Sequence, residues 1–122
     1  MKQILLAGAL ALCASVAFAA DPPAKVTAGV LVSPNGMTLY TFDKDTAGSG
    51  KSVCNGQCAF NWPPLAATAD AKPMGDWTLI PREGGGAQWA YKGKPLYTFI
   101  GDVNPGDNNG KGVNGVWKVA TP

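Results

Sequence analysis

The chain has no histidine among its 122 residues. Without imidazole there can be no histidine-ligated zinc or copper site, no Cys-x-x-Cys-His haem attachment and no histidine-activated nucleophile. Glutamate is nearly absent as well, because Glu83 is the single example and lies beside three glycines. Nothing in the sequence marks a catalytic pair of carboxylates. We therefore predict no cofactor and no catalytic residue; enzymatic activity stays undecided, with a non-enzymatic role favoured.

The chain also lacks a strong excess of charge of either sign. It has 10 Lys and Arg against 8 Asp and Glu, and nine basic residues remain once Lys2 of the N-terminal segment is set aside. These basic residues form no run along the sequence. Such a balance argues against binding to nucleic acid or to an anionic membrane surface.

Long apolar stretches are missing except at the N-terminus, where residues 4–16 carry no charge. This run follows Lys2 and precedes Ala17-Phe18-Ala19-Ala20, which is the order of a secretory signal. It is shorter than the roughly 20 residues that a membrane-spanning helix needs. We predict a signal peptide over residues 1–19, cleaved after Ala19 or, as a second choice, after Ala20. The product would be periplasmic or extracellular without a membrane span; an N-terminal membrane anchor is the alternative.

Cysteine is scarce, with three in the chain. A lipidated cysteine follows a small residue, whereas Cys13 follows Leu12, so we predict that Cys13 is discarded with the signal and not used as a membrane tether. Cys54 and Cys58 then remain, and an even number of cysteines in an oxidising compartment predicts a disulfide. That bond would hold the intervening turn and direct Trp62 into the core. A redox-active pair is the alternative.

A ten-residue segment occurs twice, at residues 36–45 and 93–102. Both copies have Gly, Leu-Tyr-Thr-Phe and Asp at the same positions, 57 residues apart. Such self-similarity indicates one supersecondary unit that is used twice. Each copy follows an apolar strand, residues 26–32 or 87–91, and a turn, so each is predicted to form a β-hairpin.

Alternation within each motif predicts the two faces of a strand. Tyr40 and Phe42 fall on one face of the first copy, and Tyr97 and Phe99 on the same face of the second. Most aromatic rings in a domain of this size are expected in the core, although a pocket lined by some of them would suit a planar or sugar ligand. Further structure is predicted as strands at residues 77–80 and 116–119 and a helical turn at 58–62 that Pro63 ends.

These elements predict one small all-β domain of two related antiparallel hairpin or meander units, with about six to eight short strands and at most one short helical turn. Sandwich-like or open-barrel packing is expected, and a propeller-like stack is the alternative. The predicted organisation is a signal peptide at 1–19, an N-terminal linker at 20–28 and a β domain at 29–120, with repeat copies at about 29–65 and 87–120.

Two sets of polar residues are candidates for sites. Asp45 and Asp102 close the repeated motifs, and we expect both to accept hydrogen bonds from turn amides. Asp102, Asn104 and Asp107 have the alternate spacing of oxygen ligands, which makes them weak calcium candidates, although they lack the glycine and final glutamate of an EF-hand. The full motif set, structural or ligand-binding, is Tyr40, Phe42, Asp45, Tyr97, Phe99 and Asp102.

Three features together resemble a known bacterial family. They are the doubled Tyr-Thr-Phe-x-x-Asp, the segment from Cys54-Asn55-Gly56-Gln57-Cys58 to Trp62-Pro63-Pro64-Leu65, and the closing Asn114-Gly115-Val116-Trp117. The sequence is similar to the secreted-repeat or predicted lipoprotein family with a Tyr-x-aromatic-x-x-Asp motif. The resemblance implies an exported, repeat-built domain, and it implies no catalytic residue because the family has no established activity. The chain departs from many members in lacking an evident lipidation site.

The sequence therefore favours a non-enzymatic exported module that binds a small molecule or a protein of the cell envelope. A redox or electron-transfer accessory that uses Cys54 and Cys58 is one alternative hypothesis. A calcium-stabilised structural module is another.

Overall fold

The computed structural model describes residues 21–122. The predicted signal peptide at 1–19, with its cleavage site and Cys13, lies outside these residues. In chain order the elements are β1 (Lys25–Thr27), β2 (Val30–Val32), β3 (Tyr40–Phe42), α1 (Gln57–Asn61), β4 (Ala66–Ala67), β5 (Trp77–Pro81), β6 (Ala87–Tyr91), β7 (Lys94–Pro95), a 3-10 turn (Val113–Gly115) and β8 (Trp117–Val119).

All strand pairings among the described residues are antiparallel, in three small sheets that do not close into a barrel. β1 pairs with β2, β3 pairs with β8, and β6 is flanked by β4 and β5 and also pairs with β7. The prediction of a small all-β domain with one short helical turn is confirmed. The helical turn lies close to the predicted position and ends before Pro63, as expected of a residue that cannot continue a helix.

Two strand predictions were wrong in detail. Residues 26–32 do not form one strand, because Ala28 and Gly29 take φ values of 51° and 79° and turn the chain back on itself. A two-residue turn with positive φ at both positions is the hairpin type that matches strand twist. The resulting β1 lies inside the segment that the sequence predicted as a linker. In the second copy, Tyr97 forms only isolated bridges, so no strand continues to Phe99.

The two repeat copies meet at their central tyrosines. The Tyr40 amide donates to the Tyr97 carbonyl at 2.8 Å, and the Tyr97 amide donates to the Tyr40 carbonyl at 3.0 Å. The same residue of each copy thus faces its own counterpart. This is the arrangement of a two-fold symmetric interface, here formed within one chain.

The local two-fold symmetry extends beyond the motif. The Leu31 amide donates to the Ala120 carbonyl, and the Trp89 amide donates to the Leu65 carbonyl, each at 2.9 Å. Leu31 and Trp89 occupy the same place before the two motifs, so Ala120 and Leu65 also correspond.

Counting back three residues from Ala120 and from Leu65 makes Trp117 the counterpart of Trp62. These two segments share little besides the tryptophan, and the sequence analysis did not detect their correspondence.

The core consists of two clusters, one on each side of the motif strands. Leu39 and Leu96 belong to the first cluster, which is aliphatic. Tyr40 and Tyr97 belong to the second, which is aromatic and contains Cys54. The alternation predicted from the sequence therefore separates the side chains as expected, because neighbouring strand residues point to opposite faces.

Candidate functional site

The aromatic cluster contains a continuous stack of four rings. Trp62 and Trp117 lie at the centre with ring centroids 3.8 Å apart and planes inclined by 5°. Phe99 stacks on Trp62 and Phe42 stacks on Trp117, each with centroids 4.2 Å apart. Both tryptophans are buried, at 5% and 3% exposure. These rings hold the two copies together and leave little aromatic surface for a ligand.

Each motif tyrosine binds the aspartate of the other copy. The Tyr40 hydroxyl donates to Asp102 Oδ2 at 2.6 Å, and the Tyr97 hydroxyl donates to Asp45 Oδ2 at 2.5 Å. A hydrogen bond to an ionised acceptor is about twice as strong as a neutral one. The two exchanged bonds thus connect the copies at the edge of the aromatic stack.

The second oxygen of each aspartate binds a loop amide. Asp45 Oδ1 accepts from the Val53 amide and Asp102 Oδ1 from the Asn109 amide, both at 2.8 Å. Each aspartate thus accepts a hydrogen bond from a backbone amide of the loop that follows its motif. The sequence analysis missed the tyrosine donors, because each lies more than 50 residues from its partner and in the other copy.

Burial and the neighbouring carboxylates keep both tyrosines protonated. Burial is the larger cause that raises the pKa of the Tyr40 hydroxyl far above its usual range, and the hydrogen bond to Asp102 adds to it. The pKa of Tyr97 is raised in the same way by burial and by Asp45. Both phenols are therefore donors at physiological pH, which fits a bridging role.

The calcium candidates are engaged by the chain itself. Asp107 Oδ2 accepts from the Val103 and Asn104 amides at 3.0 and 2.9 Å, and these bonds lower the pKa of Asp107. Asp102 uses both carboxylate oxygens, as described above. Across residues 21–122, no group of three or more Cys, Asp or Glu residues is placed to hold a metal ion.

The structure joins Cys54 and Cys58 by a disulfide. Cys54 is fully buried in the aromatic cluster with Trp62, so the bond lies against the core. The carbonyl of Cys54 accepts a hydrogen bond from Arg82 Nη2 at 2.9 Å. The disulfide and the hydrogen bond from Arg82 therefore both anchor the loop that precedes α1. The disulfide packs with Trp62 in the aromatic cluster.

A groove of about 920 Å³ opens beside this core, between the β1–β2 hairpin and the loop of residues 105–112. Its floor includes Val30, Val32 and Val119, and Thr27 and Thr38 add small side chains to the walls. A cavity of this size lies within the range of small-molecule sites. No site at this groove was predicted from the sequence.

The two-fold symmetry identifies what occupies the matching place in the second copy. Val30 corresponds to Gln88, which is fully buried, and Thr27 corresponds to Ile80, which is 2% exposed. The Arg82 guanidinium lies in this place. Its Nη1 donates to Ser52 Oγ at 2.8 Å and to Gln88 Oε1 at 3.0 Å. Arg82 and Gln88 therefore cover in the second copy what is open in the first.

The lengths of the two hairpins explain the difference. β1 and β2 have three residues each and join through a turn of two residues, Ala28 and Gly29. β5 and β6 have five residues each and join through the five residues 82–86. Arg82 begins that longer turn, and the short hairpin has no residue at the matching position. The first copy consequently has no counterpart of Arg82.

The comparisons with known proteins agree with the internal symmetry. A family model described as a secreted repeat of unknown function matches residues 24–66 and 78–121, more than half of the chain. The chain belongs to this secreted-repeat family. The two matched segments each include one of the tyrosines that pair at the centre of the molecule. No curated protein and no solved structure matches the chain.

The family description supports export of the protein. In the part of the chain from residue 21 onward, no helix is long and apolar enough to cross a membrane. The secreted-repeat domain therefore has two features that carry its architecture, the paired Tyr–Asp contacts and the stacked tryptophans. Its first copy keeps open the groove position that Arg82 covers in the second.

Proposed function

We propose that this secreted-repeat protein is an exported, non-enzymatic module that binds a small molecule in the groove between β1 and the loop of residues 105–112. Its signal peptide would be cleaved after Ala19, releasing the domain into the periplasm or the extracellular space. The motif residues Tyr40, Tyr97, Asp45 and Asp102 would serve to hold the two copies together and not to contact the ligand.

The asymmetry between the two copies carries this proposal. The chain uses its own Arg82 to cover the groove position in the second copy, with hydrogen bonds to Ser52, Gln88 and Cys54. In the first copy the corresponding surface is open, and its apolar floor is accessible from solvent. A repeat that fills one of two matching places and leaves the other open provides one ligand site per chain.

The shape and chemistry of the groove support a small ligand. Val30 and Val119 are only half-buried, so a ligand that covered them would remove apolar surface from water. The exposed side chain of Asn108 lines the same space and would orient the ligand. No nucleophile with an activating base lines this groove, which favours binding over catalysis.

Two neighbouring residues of β1 provide a matched test. Thr27 lines the groove, whereas Val26 points to the other side of the strand and is 55% exposed. Thr27→Trp should therefore fill part of the groove, and Val26→Trp should add an equally large side chain outside it. Both positions are exposed on a short strand, so both variants should keep the fold.

The experiment titrates ¹⁵N-labelled mature protein with benzyl alcohol, benzoate, octanol and octanoate and follows the backbone amide signals by NMR. We expect at least one probe to shift the signals of Val30, Val32 and Val119 in a saturable way. Thr27→Trp should weaken that binding by about tenfold or more, and Val26→Trp should leave it unchanged. Binding that is equal in the two variants, or shifts confined to other surfaces, would overturn the proposed site.

A further inference from the structure

We infer that the ligand of the groove is an organic anion with an apolar body, such as a carboxylate on an aliphatic or aromatic group. This inference rests on the proposed function and specifies the ligand class of the same site. The evidence for an anionic ligand is the set of lysines around the groove of the first copy, which have no charged counterparts in the second copy.

Three lysines line the groove, and no carboxylate lines it. Lys25 lies on the hairpin wall, Lys111 on the loop wall and Lys118 on β8. All three are exposed. Lys118 forms an ion pair with Asp43, which leaves Lys25 and Lys111 as the larger source of positive potential. A positively lined cleft with an apolar floor attracts a ligand that combines negative charge with apolar surface.

The symmetry shows that these charges belong to the open groove alone. Lys25 is paired with Val32 on β2, and its counterpart in the second copy is Thr78, which is paired with Ala90 on β6. Lys111 follows Asn109 by two residues as Asn55 follows Val53, and Asn109 and Val53 are the amides that bind Asp102 and Asp45. Lys118 follows Trp117 as Pro63 follows Trp62, so none of the three positions is basic in the covered copy.

At these three positions the covered copy is uncharged, and its occupant, Arg82, is a cation. The open copy has cationic walls and would repel such an occupant. A negatively charged ligand would complement the cationic walls of the open groove.

The apolar surface explains why a bare inorganic anion is not the expected ligand. Lys25 and Thr27 point to the same side of β1, above Val30 and Val32. A carboxylate between the lysines would leave an attached aliphatic or aromatic group over the valines. Burial of that group contributes to the binding free energy at about 25 cal/mol per Å² of apolar surface, which inorganic anions cannot supply.

A matched set of eight-carbon probes tests the inference by isothermal titration calorimetry and NMR. Octanoate, octanol and octylammonium present the same chain with a negative, a neutral and a positive head group. We expect octanoate to bind at least about tenfold more tightly than octanol, and octylammonium to bind most weakly. Added salt should weaken the binding of octanoate and leave that of octanol nearly constant.

The lysines are tested by the triple variant K25Q/K111Q/K118Q, with K44Q/K51Q/K72Q as the control that removes the same charge elsewhere. The first variant should lose about tenfold or more in octanoate affinity and keep its affinity for octanol. The control should bind both probes as the unmodified protein does. Far-ultraviolet circular dichroism and amide NMR spectra would show that both variants are folded.

The outcomes separate the inference from the proposed function. If octanol or octylammonium binds the groove as tightly as octanoate, or if the two triple variants lose octanoate equally, the anion inference is wrong and the groove remains a binding site. If no probe shifts the signals of Val30, Val32 and Val119, both the inference and the proposed function are wrong. Inorganic sulfate that binds as tightly as octanoate would contradict the need for an apolar body.

Discussion

The Tyr40 hydroxyl of the first repeat copy donates a 2.6 Å hydrogen bond to Asp102 of the second. The symmetric bond from Tyr97 to Asp45 runs in the opposite direction. Each copy of the motif therefore supplies a donor to its partner and an acceptor in return. The tyrosine and the aspartate of one motif do not bind each other; they hold two motifs together.

The exchanged bonds predict a stability effect for Tyr40→Phe. The substitution removes the hydroxyl and leaves Asp102 Oδ2 buried without its donor, so we expect a loss of about 1.5–3 kcal/mol in the free energy of unfolding. Urea denaturation followed by tryptophan fluorescence measures it. Tyr91→Phe is the control, because its hydroxyl makes no hydrogen bond within residues 21–122, and it should change stability by less than about 0.5 kcal/mol. Equal effects of the two substitutions would contradict the structural role of the motif.

Arg82 covers the groove position in the second copy, and its three hydrogen bonds predict that the protein needs an arginine there. Arg82→Ala leaves the acceptors on Ser52, Cys54 and Gln88 without their donor, and we expect it to cost about 1.5–3 kcal/mol of stability. Arg82→Lys should recover little, because a single ammonium cannot reproduce the guanidinium fork. Thermal and urea denaturation measure both. Full recovery by lysine would show that charge alone, and not the fork, fills this place.

The position of Cys54 in the core predicts slow reduction of the disulfide in the folded protein. Cys54 is fully buried, whereas Cys58 is partly exposed. A thiolate that attacks Cys58 must release Cys54 as a thiolate inside the core, where burial disfavours the charge. We expect the native protein to resist reduction under conditions in which the urea-unfolded chain is reduced rapidly, as measured by thiol alkylation and mass spectrometry. Loss of the bond should cost about 2 kcal/mol, since it closes a small loop. Rapid reduction of the native protein by glutathione would instead support the redox hypothesis.

The protonated tyrosines predict that the fold weakens in alkali. The folded-state pKa of Tyr40 and of Tyr97 lies above the ordinary value of 10.0, so the unfolded chain loses these protons first as the pH rises. Their contribution to stability is fully present below pH 10 and decreases above it. The chain has three tyrosines, and we expect two of them to ionise only when it unfolds. Absorbance at 295 nm and circular dichroism, followed together, check this; ionisation of all three tyrosines in the folded protein would contradict it.

Much of the fold follows from local patterns. The period of two in Leu39-Tyr40-Thr41-Phe42 separates aliphatic from aromatic side chains, and the structure places them in separate clusters. Pro63 ends the helical turn where expected. The first hairpin was missed because Ala28, an unusual residue at positive φ, does not mark a turn in sequence.

The candidate site was not predictable in the same way. One wall comes from β1, which is far in sequence from the loop of residues 105–112 and β8 that form the rest of the groove. Tyr40 and Asp102 are marked by the repeated motif, but they bind each other and join the two copies. A repeated motif shows which residues the architecture needs, whereas the residues that distinguish the open groove from the covered one are those that differ between the copies.

The sequence by itself determined the repeat, because identical residues recur at the same positions of two segments. It also determined the strand faces and the pairing of Cys54 with Cys58, because these depend on residues that are close together in the chain. Only the tertiary structure decided that Tyr40 binds Asp102 across the two-fold axis and that Arg82 covers one groove while the other stays open. Those outcomes depend on how two similar units dock and on a difference in hairpin length. Contacts between distant residues follow from that geometry and leave no periodic signal in the sequence.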